Sequence, residues 1–382
     1  MRICIATSTF PADPRDTLAS PFLLDTIEVL RRAGHEVTVL TQARRDSHEA
    51  PLPGLEVIWF PWRRLQGRLA EIDFSSPSAA LAAASLVYNG TRQVARLRRT
   101  SAVDVFLCCW VIPSGLYLYL DTLFSRSRVP YVLWALGSDV NKYSGNPLAC
   151  AVLRRIARRA AHLYADGHKL CADFGRLAGR PCEFLPTFRA FPAMNGGGGG
   201  VSQPPTFLYV GRHSTVKGVD CLVDGLVELK EKGDPPYRFV LAGAGELTDA
   251  LRAKVERHGL TGKVQFTGRV SDEDLRGLYQ RADCVVIPSR SESIPVVLSE
   301  ALQCGKPIIV TDVGDMGMLV SRHRLGRVVP REDPSALARA LGEFIAAPFA
   351  LDGSGRDALL SELMFENAAP KLIRRLQEAV QR

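Results

Sequence analysis

The chain has 382 residues, of which 46% are hydrophobic and 23% charged, with a formal net charge of +8. That is a two-domain length with ample apolar content for sizeable cores. Its nine cysteines are scattered with no Cys-x-x-Cys pair, which excludes a disulfide frame or a zinc site as a reading and points to a reducing cytoplasm.

The opening MRICIAT reads as a buried strand, not as the charged segment and long apolar stretch of a secretion signal. A loop, FPADPRDTLASP, follows and offers Asp13, Arg15 and Asp16. Further β-like runs are EVTVLT, LEVIWF, DVFLCCW, PYVLWAL, HLYAD and CEFLP, alternating with helical stretches. The longest apolar stretch, Val105–Leu120, carries Pro113, Ser114 and Gly115, and it falls short of the roughly 20 residues of a spanning helix. It reads as strand, turn, then helix. A glycine run, Asn195–Gly200, separates the halves as a flexible linker. The second half repeats the alternation with TFLYVG, YRFVLAG, KVQFTG, CVVIPS, PIIVTD and RVVP, and the chain closes on an amphipathic helix. Strands alternating with helices predict parallel sheets covered on both faces. The expected domains are 1–190, a linker at 191–204, and 205–364.

Charge is unevenly placed. Residues 1–190 hold 24 basic and 16 acidic side chains, whereas 191–382 hold 24 of each. Arg154, Arg155, Arg158 and Arg159 share a helix face, as do Arg92, Arg96 and Arg99. Such faces suit an anionic membrane surface; a plain solvated face is the competing reading. Nucleic acid is not expected, because no recognition helix, zinc finger or aromatic stacking motif accompanies the charge.

Two constellations carry chemistry. The run Phe207–Val210 empties into GRHSTVKG, Gly211–Gly218, and a helix follows with Leu222, Val223, Leu226 and Leu229 on one face. Strand, glycine turn and helix present backbone N–H groups to a diphosphate, with Arg212 forking two oxygens and Lys217 adding a point charge. Gly218 follows the lysine, so this is not a Walker A loop. The second constellation is SESIPVVLSEALQCG, Ser291–Gly305, with Glu292 and Glu300 flanking a helix start at Pro295. Near a helix N-terminus that favours phosphate, carboxylates suit sugar and ribose hydroxyls. Gly243 and Gly245 imitate a dinucleotide fingerprint without its third glycine or its acid. Asp272 and Asp274 form an Asp-x-Asp, but Ser271 ahead of them is a capping arrangement, so no metal is expected.

GRHSTVKG together with Glu292–(seven residues)–Glu300 resembles the signature of the group 1, retaining, GT-B-fold glycosyltransferases. The intervening sequence from FVLAGAGEL to CVVIPS is similar throughout, and GHEVTVLT, WVIPSG and GSDVN resemble the first half of that family. The resemblance implies two Rossmann-like parallel-sheet domains facing across a cleft. The first would bind the acceptor, the second the nucleotide-sugar donor, and the helix at 365–382 would pack back on the first. It implies donor contacts from Gly211, Arg212, Lys217, Gly243, Gly245, Arg269, Val270, Ile294 and Glu300. Glu292 would meet the donor sugar. Asp13, Arg15, Asp16, Trp110 and Ser138 fall on the acceptor side, with Asp139 as a candidate acceptor contact or base. Relatives carry histidines where this chain has Cys109 and Leu136.

The expectation is a metal-independent, cofactor-free enzyme moving a sugar from a nucleoside-diphosphate sugar to a saccharide or lipid-linked acceptor in surface polysaccharide or glycolipid synthesis. Its place would be the cytoplasm or the inner membrane face. A GT-B-fold nucleotide-sugar epimerase and a non-catalytic nucleotide-sugar-binding protein are the rival readings.

Overall fold

The computed structural model describes every residue except 15, 17, 18, 45–47, 64–75, 126–128, 144, 192–200 and 382. Arg15 and most of the glycine-rich stretch at 191–204 therefore lie outside the described residues. The chain divides into two compact units, Met1–Pro186 with Phe365–Arg382, and Thr187–Met364.

Strands of a parallel sheet covered on both faces are apolar throughout and do not alternate. The first unit is built that way. Its strands are β1 (Arg2–Thr7), β2 (Glu36–Gln42), β3 (Glu56–Phe60), β4 (Val105–Cys109), β5 (Tyr131–Ala135), β6 (Leu163–Ala165) and β7 (Glu183–Phe184). All are parallel, in the order β3-β2-β1-β4-β5-β6-β7. Every residue of β4 and β5 is buried. The helices are α1 (Phe22–Arg32), α2 (Pro77–Arg99), α3 (Leu116–Phe124), α4 (Ser138–Asn141), α5 (Pro147–Arg159) and α6 (His168–Ala178). Sequence chemistry sets the starts of α2 and α5. Ser76 accepts from the Ala79 amide at 3.2 Å ahead of Pro77, and Asn146 accepts from the Leu148 and Ala149 amides ahead of Pro147. The apolar run at 105–120 is strand β4, an irregular turn over Val111–Gly115, and the start of α3.

The second unit has β8 (Thr206–Val210), α7 (Val219–Glu231), β9 (Arg238–Ala242), α8 (Thr248–Arg257), β10 (Val264–Gly268), α9 (Asp272–Arg281) and β11 (Cys284–Ile287). These are followed by α10 (Val296–Gln303), β12 (Ile308–Thr311), α11 (Met316–Arg322), β13 (Gly326–Val329), α12 (Pro334–Ala346) and α13 (Gly353–Leu363). The sheet is parallel in the order β10-β9-β8-β11-β12-β13, the doubly wound order, with its reversal between β8 and β11. On α7, Leu222, Val223, Leu226 and Leu229 enter a core with Phe207, Phe239, Leu337 and Phe344. The last helix, α14 (Phe365–Gln381), belongs to the first unit: Phe365 stacks on Trp134 at 5.9 Å, and Arg375 and Lys371 pair with Glu183.

Candidate active site

In an open α/β sheet, ligands bind beyond the carboxyl ends of the strands where the strand order reverses. In the second unit that point holds the turns after β8 and β11. Gly211 leaves β8, and the buried Tyr209 hydroxyl donates to the Arg212 carbonyl oxygen at 2.5 Å, fixing the turn. Lys217 ends a single 3-10 turn, Thr215–Lys217, and Gly218 (φ 66°) opens α7. A Cβ on Gly218 would overlap the Pro288 carbonyl, so glycine is what lets the two turns close on each other. There Lys217 Nζ lies 2.5 Å from Glu292 Oε1, and the Ser289 hydroxyl donates to the same oxygen at 2.9 Å. Arg290 clamps the rest, forking Asp220 at 2.6 and 2.9 Å and donating to the Thr215 carbonyl.

The neighbouring turns fit as closely. Gly243 (φ 138°) and Gly245 sit where a Cβ would overlap the Gly211 and His213 carbonyls. The Gly243 amide donates to the Gly268 carbonyl at 2.9 Å, which ties β9 to the end of β10 ahead of exposed Arg269 and half-buried Val270. His213 is fully buried, with Nδ1 3.0 Å from the Thr248 hydroxyl. Burial and the charge of Arg252 hold its pKa below the ordinary histidine value, so it packs the turn as a neutral ring. Ile294 is buried behind the Glu292 turn.

One expectation about this helix start is corrected. Pro295 is extended (φ −72°, ψ 142°) and caps α10 instead of opening it. Glu292 precedes the helix, whereas Glu300 lies inside α10, only 3% exposed. Its Oε1 accepts from Arg189 at 3.2 Å and its Oε2 from the Tyr279 hydroxyl at 2.8 Å. Burial raises the Glu300 pKa, and the charge of Arg189 and the Tyr279 hydrogen bond offset part of that. Asp272 pairs with Arg189, while Ser271 caps α9 by accepting from the Asp274 amide at 3.1 Å. Among the described residues no three His, Cys, Asp or Glu side chains converge as a metal site.

In the first unit the reversal falls between β1 and β4. The loop after β1 carries Asp13 and Asp16; the ends of β4 and β5 carry Trp110, Ser138 and Asp139. Asp16 is turned inward, accepting from the Ala12 amide at 3.1 Å and pairing with Arg44 at 2.8 Å. Asp139, only 3% exposed, does not stand open to an acceptor as expected of a base. Its carboxylate accepts from the Val111 amide at 2.6 Å and the Leu136 amide at 3.1 Å. Burial raises its pKa to about 6, with those amides working in the opposite direction. It thereby holds the turn where Trp110 adopts φ 65°, a strained value for a bulky residue. Cys109 is fully buried in β4.

Sequence reasoning missed Arg189, Tyr279, Ser289 and Tyr209. Ser289, three residues ahead of Glu292, was the one with a local turn signal.

Comparison with known proteins fits this arrangement. A model described as "Glycosyl transferase 4-like domain" matches residues 19–186, and one described as "Glycosyl transferases group 1" matches 198–353. An alpha-D-kanosaminyltransferase of Streptomyces kanamyceticus is 30% identical over 265 residues, 68% of this chain but 64% of that protein. A putative teichuronic acid biosynthesis glycosyltransferase of Bacillus subtilis is 26% identical over 374 residues, covering 90% of this chain and 89% of the relative. Anabaena HepE, solved in complex with UDP and glucose, matches with a TM-score of 0.71 at 18% identity over 99% of this chain and 100% of its own, a likeness of fold. Each half is matched by a glycosyltransferase model, and each carries a parallel-sheet architecture. The chain belongs to the group 1 glycosyltransferases, with a GT-B fold.

Proposed function

We propose that this chain transfers a sugar, with retention of anomeric configuration, from a nucleoside-diphosphate sugar to an acceptor hydroxyl. The observation that carries the reading is the meeting of Lys217 and Glu292 at the carboxyl ends of β8 and β11. The acceptor oxygen forms a bond to the anomeric carbon as the bond from that carbon to the β-phosphate oxygen breaks. The acceptor proton passes to the departing phosphate on the same face. Arg212 and Lys217 meet the negative charge that grows on the leaving diphosphate, which is the work a metal ion does elsewhere, so the enzyme is metal-independent. Glu292 accepts hydrogen bonds from hydroxyls of the donor sugar, and Glu300 from those of the ribose. The second unit is thus the donor domain and the first the acceptor domain, where Asp139 positions the Trp110 turn.

The acceptor is a saccharide, lipid-linked and met at the inner face of a membrane, in surface polysaccharide or glycolipid synthesis. Two helices of the first unit support this. On α2, Leu81, Tyr88, Arg92, Arg96 and Arg99 are all exposed at spacings of seven, four, four and three, which is one stripe. On α5, Leu148, Val152, Arg155 and Arg159 form a second exposed stripe. Each pairs apolar side chains with arginine, and Phe124 at the end of α3 is 84% exposed. Such stripes suit an anionic interface, with apolar groups entering the headgroup layer. No described helix is long and apolar enough to cross a membrane. The test is incubation with a panel of nucleotide sugars and saccharide or lipid-linked acceptors, scored by mass for transfer. Transfer to an acceptor supports the reading; epimerised donor without transfer would replace it.

A further inference from the structure

Arg189 takes no part in the chemistry so far, yet it is one of the most enclosed charges in the molecule, its side chain 9% exposed. It sits in the segment after β7, within the second unit. Its guanidinium pairs with Asp272 at the start of α9 and with Glu300 Oε1 at 3.2 Å in α10. The backbone around it is pinned as well. Gln303 Nε2 donates to the Arg189 carbonyl at 2.9 Å, and the Phe191 amide donates to Gln303 Oε1 at 2.8 Å. Phe191 then lies edge-on to Tyr279 at 5.5 Å.

A carboxylate oxygen has two acceptor positions. On Glu300, Arg189 takes one on Oε1 and the Tyr279 hydroxyl takes one on Oε2, which leaves one on each oxygen. A ribose diol has two donors to match. That match needs the charged form, because a protonated carboxyl turns one oxygen into a donor. The groups facing Glu300 are Arg189 from the preceding segment, Asp272 and Tyr279 from α9, and Cys304 at the end of α10. Arg189 is the cation among them, while Asp272 acts in the opposite direction.

We propose that Arg189 is a positioning residue for the nucleoside end of the donor: its guanidinium holds Oε1 of Glu300 while the Tyr279 hydroxyl holds Oε2, so that the remaining acceptor positions receive the ribose hydroxyls. This rests on reading Glu300 as the ribose contact. Without Arg189 the buried carboxyl loses the cation that offsets its burial, so a proton competes with the diol for its oxygens, and that competition fades as the pH rises. Tyr279 limits the rotamers open to Glu300, but it cannot supply the charge.

The test is calorimetric titration, from pH 6 to 9, of whichever of UDP, GDP, ADP and dTDP the wild type binds most tightly. The proteins are wild type, Arg189→Met, Arg189→Lys, Tyr279→Phe and Glu300→Gln, with each variant's Kd taken as a ratio to wild type at the same pH. Arg189→Met should bind about tenfold more weakly at pH 6.5, because a buried carboxyl without its cation favours the proton, and the deficit should shrink toward pH 9. Arg189→Lys should recover most of the affinity, and Glu300→Gln should be weak at every pH. Should Arg189→Met not fold, Tyr279→Phe carries the same expectation in smaller measure. A deficit that ignores pH, or a lysine no better than methionine, overturns the proposal and leaves Arg189 as packing. A Glu300→Gln that binds like wild type overturns the ribose reading and this proposal with it. A wild type that binds none of the four overturns the donor reading itself.

Discussion

Replacing Lys217 by alanine separates two tasks of one side chain, the ion pair seen in the structure and the role in the proposed mechanism. In the free enzyme Lys217 is an ion-pair partner, 2.5 Å from Glu292, with the lysine 29% exposed. Two unit charges about 4 Å apart at an effective dielectric of about 20 attract by about 4 kcal/mol, a gross figure. Desolvation and screening reduce a partly exposed pair to about 1 kcal/mol of net stability. The melting temperature should therefore fall by about 2–4 °C. In the proposed transition state the same cation would face charge developing on the leaving diphosphate. Removing one such donor costs about 3–4 kcal/mol, or about 10²–10³ in kcat. Lys217→Ala should thus be a modest stability variant and a severe catalytic one, and Lys217→Arg should retain much of the rate. The assay is single-turnover transfer at saturating donor, beside a thermal melt. A variant that melts lower yet keeps the wild-type kcat would reduce Lys217 to a structural partner of Glu292 and remove the basic pair from the mechanism.

Gly243→Ala should lose more than about 2 kcal/mol of stability, since a methyl there meets the Gly211 carbonyl at φ 138°; a denaturant midpoint equal to wild type would contradict that packing. Asp139 titrates near pH 6 in the folded protein against 3.8 as its ordinary value, so its contribution to stability is full below about pH 4 and is lost as pH rises through 6, a span of about 3 kcal/mol. Stability measured against pH for wild type minus Asp139→Asn should show that fall, and a flat difference curve would refute it. Transfer activity should survive EDTA; loss on chelation with recovery on Mn²⁺ or Mg²⁺ would end the metal-independent mechanism. Co-sedimentation with anionic vesicles should weaken as salt rises and on Phe124→Ser with Arg155/Arg159→Glu, whereas equal binding to neutral vesicles would leave the arginine stripes as solvated faces.

The parallel sheets were legible because strands buried on both faces announce themselves as unbroken apolar runs. The turn after β8 was legible because its geometry is local, as in the sequence from Gly211 through Lys217 into α7. What the sequence concealed depends on contacts made far along the chain. Asp139 reads as an open acid in GSDVN until Val111, 28 residues earlier, brings its amide to 2.6 Å. Glu300 reads as a helix-face carboxylate, and nothing local says that α9 offers Tyr279 or that Arg189, 111 residues away, reaches it. Arg189 itself lies in a stretch that composition marks as the approach to a linker. The glycine-rich linker lies mostly outside the described residues.

The central claim is that the turns after β8 and β11 grip a diphosphate. Its most direct measurement is the affinity of wild type and Lys217→Ala for a nucleoside diphosphate against the matching monophosphate, by calorimetry at fixed salt. The diphosphate should bind wild type at least about tenfold more tightly, the worth of one charge-assisted contact, and Lys217→Ala should erase most of that margin. Equal affinity of wild type for the two nucleotides, or a margin untouched by the substitution, would contradict the account.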